Sequence, residues 1–273
     1  MNINIVPKVG ENVSDLDVIK EFSYDRLEIQ LLTDDIPAFS KKAEDFLKAK
    51  DLKSLIIHLP SCICDWECIL MNNEVETQFM SFVRDCCTLS NKYNTEIYIL
   101  GHLETKMDIL EKVKFKEWFG FLIRMVSDSK VYFLVENPST EPYRAKTGEP
   151  FYKFVKSFNN PRVKCCLDIC HYKVIKSLLG ERYNLPEDLG QYVKSVHFSD
   201  FPMNSHPYDK NTHGIRHKNV ISALCDLDFL NELGVDLENA FIVTEINETD
   251  YVNRPDLIQE LRILKKIEKE HSL

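Results

Sequence analysis

Glycine is scarce in this sequence, with 8 residues among 273. No two of them lie close enough to form the Gly-x-Gly turn that cradles a phosphate at a helix start, so a dinucleotide-binding first turn is excluded. Long apolar runs are missing too. None approaches the roughly 18 residues that a membrane span needs. The opening residues, Met1 to Pro7, show neither a basic segment nor the apolar core of a secretion signal, so a cytoplasmic chain is expected. Positive charge is in deficit. Lys and Arg total 34 against 43 Asp and Glu, a net charge of -9, which argues against a nucleic-acid partner. No Pro/Gly/Ser-rich linker, low-complexity tract or internal repeat divides the chain, and 1–273 reads as one domain. Cysteine is present, but its nine residues are an odd number, and Cys86-Cys87 and Cys165-Cys166 sit inside apolar runs. That pattern suits reduced thiols rather than a disulfide framework. Cys62-x-Cys64-x-x-x-Cys68 has no usual zinc spacing and no second pair follows it, so it reads as a loop with incidental thiols.

What the chain does have is an alternation. Short apolar runs rich in β-branched and aromatic residues occur at Asn2–Val6, Arg26–Leu32, Leu55–Leu59, Glu96–Leu100, Val131–Val135, Val163–Leu167, Val193–Phe198 and Ala240–Ile246. Longer segments of helical period lie between most of them. These are Ala38–Ala49, Glu74–Tyr93, Glu117–Ser127 (with Phe121, Leu122 and Met125 on one face), Phe151–Phe158, Pro186–Tyr192, Ile221–Leu233 and Pro255–Lys269. Strand starts are 24 to 47 residues apart, the size of a βα unit. Strand alternating with helix implies a parallel sheet, and eight such units in this length predict an α/β fold of the (β/α)8 TIM-barrel type.

Function in such a barrel gathers at the C-terminal ends of the strands. The runs from three to eight carry His58, His102, Glu136, Asp168, His197 and Glu245 at or beside their ends, and Glu28 lies within the second. A lone histidine at a strand end is most often a satisfied structural residue, and Glu28 fits a solvated or salt-bridged position equally well. An apolar strand end has no structural use for a carboxylate, because burying one alone costs several kcal/mol or more. Glu136, Asp168, His197 and Glu245 together therefore predict a shared site. Three carboxylates and one imidazole suit a divalent ion: Zn²⁺ or Mn²⁺, with Mg²⁺ or Co²⁺ also compatible. His58, His102, His171 and His213 are candidates for further metal or substrate contacts. Arg216 and Lys218, and beyond them Arg254, follow strands seven and eight, where barrels often bind phosphate; as single cations they fit a solvated surface better.

Four motifs carry a resemblance: Val135-Glu136-Asn137, Leu167-Asp168-x-x-His171, Val196-His197-x-x-Asp200 and Thr244-Glu245. In combination they resemble the xylose isomerase-like TIM barrels, a superfamily of sugar and sugar-phosphate isomerases and epimerases that also holds the endonuclease IV type of abasic-site nuclease. The resemblance implies that Glu136, Asp168, His197 and Glu245 hold the metal, and that Glu136 and Glu245 also act as paired acid and base beside a substrate carbonyl, on a metal-bound enediolate. His171 would contact substrate in the epimerase branch and metal in the nuclease branch. The nuclease branch uses further histidines where His58 and His102 stand. It also has an Asp-Arg-His segment followed by glycines. Here Asn211-Thr212-His213 is followed by His217 and Asn219, so only His213 matches.

The resemblance thus implies a metal-dependent isomerase or epimerase acting on a small sugar or sugar phosphate. A zinc phosphodiesterase acting on abasic DNA is the alternative. Its DNA groove would have to use loops such as Ser139 to Lys146, which holds Tyr143, Arg144 and Lys146. A third possibility, a non-catalytic barrel that binds a small ligand, is harder to reconcile with a full four-residue ligand set.

Overall fold

The eight apolar runs form eight strands: β1 (Asn4–Gly10), β2 (Arg26–Gln30), β3 (Ser54–His58), β4 (Glu96–His102), β5 (Val131–Glu136), β6 (Val163–Asp168), β7 (Val193–Phe198) and β8 (Phe241–Thr244). They are hydrogen-bonded in chain order and close into a barrel, with helices between strands, the (β/α)8 TIM-barrel fold expected. This is a computed structural model. It describes residues 3–13, 16, 24–60, 63, 65–70, 72–103, 109–137, 149–179, 184–198, 220–245 and 255–271. His213, Arg216, Lys218, Arg254, the loop from Ser139 to Lys146, Cys62 and Cys64 lie outside the described residues.

The described helices are α1 (Ile36–Ala49), α2 (Trp66–Leu70), α3 (Asn73–Tyr93), α4 (Ile109–Met125), α5 (Glu149–Phe158), α6 (Ile169–Leu179), α7 (Val220–Glu232) and α8 (Pro255–His271). None of the described helices is long and apolar enough to cross a membrane. Three differ from the sequence reading. Helix α2, which includes Cys68, falls where a loop was expected. Helix α4 starts eight residues earlier than expected, and its buried face is Phe115, Trp118, Phe119, Leu122 and Ile123, while Phe121 is exposed. Between β6 and β7 the main helix is α6, which follows Asp168 with no loop. The Pro186–Tyr192 segment forms only a short 3-10 turn, Leu189–Tyr192.

By packing, the chain groups into two compact units. One comprises Val9–Val135 and Ser157–Lys164, the other Met1–Lys8, Glu136–Lys156 and Cys165–Leu273. The first is built on aromatics. Trp66 is wholly buried, donates from Nε1 to the Gly101 carbonyl at 2.8 Å, and meets Phe79, Phe119 and Phe133 edge-on at ring-centroid distances of 5.8, 5.3 and 5.9 Å. Edge-to-face packing of this kind adds to the area these rings bury. Glu28 of β2 is completely buried here, not a solvated edge residue.

The second unit contains β6, β7 and β8 and the start of β1. Its register decides which polar residues meet. Cys165 pairs with Val193, but Cys166 pairs with Ser195, so one residue of β7 is skipped. That irregularity sets Asp168 opposite His197; without it Asp168 would face Val196. Such a shift re-aims side chains at a strand end.

Two of the glycines stand at forced positions. Gly190 of the 3-10 turn lies against the chain at Leu233 and Gly234. A Cβ there would come within 2.2 Å of the Leu233 carbonyl oxygen, and Gly234 itself has φ +73°. Elsewhere asparagine takes the left-handed conformation, at Asn94 (φ 55°) after α3 and at Asn159 (φ 44°) after α5. Because the obstacle at Gly190 is backbone, Gly190→Ala is expected to lower stability by about 1–3 kcal/mol or more, read from chemical denaturation. An unchanged midpoint would show that the close approach is not a constraint.

Candidate metal centre

Four side chains from four consecutive strands converge within the second unit. Glu136 ends β5, Asp168 ends β6, His197 is next to last in β7, and Glu245 follows β8 directly. One ligating atom from each can be chosen so that all lie within 4.8 Å of one another. Glu136, Asp168 and His197 are fully buried, and the Glu245 side chain is 14% exposed. The sequence grouped these four, and the structure brings them together.

Each is held by its neighbours. Asp168 is the N-cap of α6, its Oδ1 accepting the His171 backbone N–H at 2.6 Å. This satisfies one of the free amides at a helix start. It also explains why a helix begins here without a loop, and why the spacing is Asp-x-x-His. The Asp168 backbone is pinned by Asn137, which accepts from its N–H at 2.7 Å and donates to its carbonyl at 3.1 Å. With Oδ1 committed to the helix, Oδ2 is left toward the cluster, 3.7 Å from His171 Nε2 and 3.9 Å from His197 Nδ1. His171 joins the group as well: its Nδ1 lies 3.3 Å from Glu136 Oε1 and 3.1 Å from the Asn137 carbonyl. His197 Nδ1 lies 2.8 Å from Glu245 Oε2 and 3.5 Å from Glu136 Oε1.

Two participants were missed from sequence. Lys8, wholly buried on β1, pairs through Nζ with Glu245 Oε1. Pro7 made strand one appear to end at Val6, whereas it continues to Gly10. A lysine two residues beyond an inward Val6 was the available signal, since i and i+2 share a face. The other is Cys166, fully buried, which with Glu136 and His197 makes a second group of atoms within 4.8 Å. Its parity with Asp168 could have revealed it.

His58 and His102 lie in the first unit. Their rings meet edge-on at 5.8 Å, and His58 Nδ1 is 2.8 Å from the Leu59 carbonyl. His102 Nδ1 is 3.9 Å from Asp65 Oδ1.

Three carboxylates so close cannot all stay ionised without a cation. Burial, and then the charges of Glu245 and Glu136, push the Asp168 carboxyl well above its usual range. Burial acts on Glu245 in the same direction, but the charges of His197 and Lys8 outweigh it and hold that carboxyl well below 4.5. The surroundings therefore push these two acids in opposite directions. A divalent ion removes the conflict, because it favours the ionised form of every ligand. Three oxygens and one nitrogen are a fitting donor set for Zn²⁺ or Mn²⁺.

A stability consequence follows. With a raised folded-state pKa, Asp168 takes up a proton on folding. Metal-free protein then loses stability as pH rises from about the ordinary 3.8 through the folded value. Asp168→Asn keeps the capping oxygen and removes the charge. It is expected to raise the melting temperature of metal-free protein at pH 7, by about 2–4 °C for each kcal/mol relieved, and to abolish the melting increment that Zn²⁺ or Mn²⁺ gives the wild type. A lower metal-free melting temperature would contradict this.

The sequence profile of a family described as xylose isomerase-like TIM barrel matches residues 16–267. No curated protein matches the sequence. Among solved structures, a xylose isomerase domain protein from Planctomyces limnophilus is similar over 99% of both chains, with 12% identity and a TM-score of 0.69. The IolI protein, described with a bound zinc atom, is similar over 98% of this chain and 99% of its own, with 14% identity and a TM-score of 0.61. A D-psicose 3-epimerase from Clostridium cellulolyticum H10, described with D-tagatose, covers 98% of this chain and 99% of its own, at 11% identity and a TM-score of 0.59. At these identities the structural likenesses speak for the fold alone. The match of the family profile across nearly the whole chain decides membership: this protein belongs to the xylose isomerase-like TIM barrel family.

Proposed function

We propose that the protein is a metal-dependent sugar or sugar-phosphate isomerase or epimerase. The observation that carries the proposal is the placement of two glutamates, Glu136 and Glu245, in one buried cluster with Asp168 and His197. Those four would hold the ion. Bound there, a divalent ion supplies Lewis acidity toward a carbonyl oxygen and a neighbouring hydroxyl. The sugar substrate class is supported by relatives named as epimerases, one of them described with D-tagatose. No described helix of membrane-crossing length and apolarity points to another class of partner.

The rest falls to the side chains. Removing a proton from carbon beside a carbonyl needs a carboxylate that is ionised and close, and returning it needs a second acid. Glu136 and Glu245 are the candidates, and their environments differ. Glu245 is kept ionised by His197 and Lys8, which suits it to accept a proton. Glu136 sits between His197 and His171, whose Nδ1 atoms are 3.5 and 3.3 Å from its Oε1. His171 is placed to steady Glu136 while a proton moves. Burial of Glu136, Asp168 and His197 excludes water from the place where the proton travels, which strengthens each of these interactions. Return of the proton to the opposite face of the same carbon inverts it; return to the neighbouring carbon moves the carbonyl.

Incubation in D₂O with ketoses, ketose phosphates and Mn²⁺, Co²⁺ or Zn²⁺ tests the proposal. Deuterium is expected to enter at the carbon next to the carbonyl, seen by NMR. Glu136→Gln and Glu245→Gln are each expected to lower the exchange rate by about 10²–10⁴-fold. Absence of exchange across the panel, together with cleavage of abasic-site duplex DNA, would establish the phosphodiesterase instead. Chelation by EDTA is expected to abolish exchange and lower the melting temperature. Full activity after verified metal removal would overturn metal dependence.

A further inference from the structure

We infer that Lys8 is the positioning residue of the metal centre: its ammonium is a built-in cation that fixes Glu245 and limits the centre to one divalent ion. The inference rests on the metal-dependent reading above.

Three observations carry it. First, the lysine side chain is wholly buried, with 0% exposure. A buried ammonium costs several kcal/mol unless it is closely paired, and surface lysines almost never occupy such positions. Second, its pairing with Glu245 distinguishes the two carboxylate oxygens. Lys8 Nζ engages Glu245 Oε1, while Glu245 Oε2 faces His197 Nδ1 at 2.8 Å. The strand register produces this pairing. Pro7 of β1 lies opposite Thr244 of β8, so the next residue on each strand, Lys8 and Glu245, reach the same level. Glu245 is thereby held from two sides, with its two oxygens distinguished. Only Oε2 remains directed toward the other three ligands.

Third, the charges of Lys8, Glu136, Asp168, His197 and Glu245 taken together balance with one divalent ion. Glu136, Asp168 and Glu245 carry three negative charges when all are ionised. Lys8 supplies one positive charge and a divalent ion two, which leaves the pocket neutral with His197 uncharged. A second divalent ion would add two more positive charges close to the buried ammonium of Lys8, which repels it. A histidine in place of Lys8 could lose its proton and bind another metal; the ammonium of Lys8 has no lone pair to offer. The residue thus occupies the electrostatic role of an additional ion without being one.

The experiment uses full-length wild type, Lys8→Met, Lys8→Arg and the double variant Lys8→Met/Glu245→Gln. Each is stripped of metal and titrated with Zn²⁺ and with Mn²⁺. Calorimetry and elemental analysis give affinity and stoichiometry, and thermal melts are recorded with and without metal. Wild type is expected to bind one ion per chain. Lys8→Met is expected to melt lower without metal and either to bind its ion at least about tenfold more tightly or to take up a second, because a like charge beside the ion is gone. Lys8→Arg is expected to keep wild-type stoichiometry and affinity. The double variant is expected to recover the metal-free melting temperature that Lys8→Met lost, since it removes both members of the pair. A general packing defect would weaken metal binding, not tighten it, and the double variant would not repair it. If Lys8→Met does not fold, Lys8→Gln takes its place with the same expectations. One ion bound by wild type and by Lys8→Met with equal or weaker affinity in the variant overturns this inference alone. Two or three ions in wild type also overturn it. Wild type that binds no ion overturns the metal-dependent reading and takes this inference with it.

Discussion

Mutual repulsion among three buried carboxylates is the constraint around which the candidate centre is arranged. Glu136, Asp168 and Glu245 lie too near one another, and too far from water, for each to behave as an ordinary acid. The protein meets the repulsion with an ammonium on one side, an imidazole in the middle, and an Asp168 carboxyl pushed above its usual range. None of these completes the compensation that a divalent ion offers. The arrangement costs stability in the metal-free state and returns it as affinity, a familiar relation between folding and metal binding.

Holding such a cluster demands a stiff frame, and the surrounding hydrogen bonds provide it. Asn137 ties the β5 end to the β6 end by two bonds to the Asp168 backbone. The skipped residue in the β6–β7 ladder brings His197 level with Asp168. In the other unit, aromatic packing around Trp66 joins buried hydrogen bonds such as that from Trp66 Nε1 to the Gly101 carbonyl. Polar groups gather at the cluster, and the other unit buries Glu28, Gln30, His58 and Glu67 as well.

Much of this was legible in the chain. Parallel strands covered on both faces must be apolar, so an acid at the end of an apolar run stands out, and Glu136, Asp168, His197 and Glu245 were found on that ground alone. The barrel followed from the count and spacing of the runs. What stayed hidden depended on backbone detail. Pro7 masked the continuation of β1 and with it Lys8. Helix α6 follows its strand without any turn residues to announce it, and its start is set by a side chain already assigned to another task. The face of α4 was misjudged at Phe121 because three adjacent aromatic or apolar residues leave the phase of a helix open. The β6–β7 irregularity has no signature in sequence, for it arises from how two strands settle against each other.

The double duty of Asp168 bears on residue choice. Strand five ends in glutamate and strand eight is followed directly by one, whereas strand six ends in aspartate. A side chain that caps its own helix must bend back within one residue of the backbone, and only the shorter acid does so readily. Glutamate at 168 would carry the same charge but surrender the first turn of α6, and with it the place of His171. The length of one methylene group thus separates a ligand that is anchored before any ion arrives from one that would have to be ordered by it.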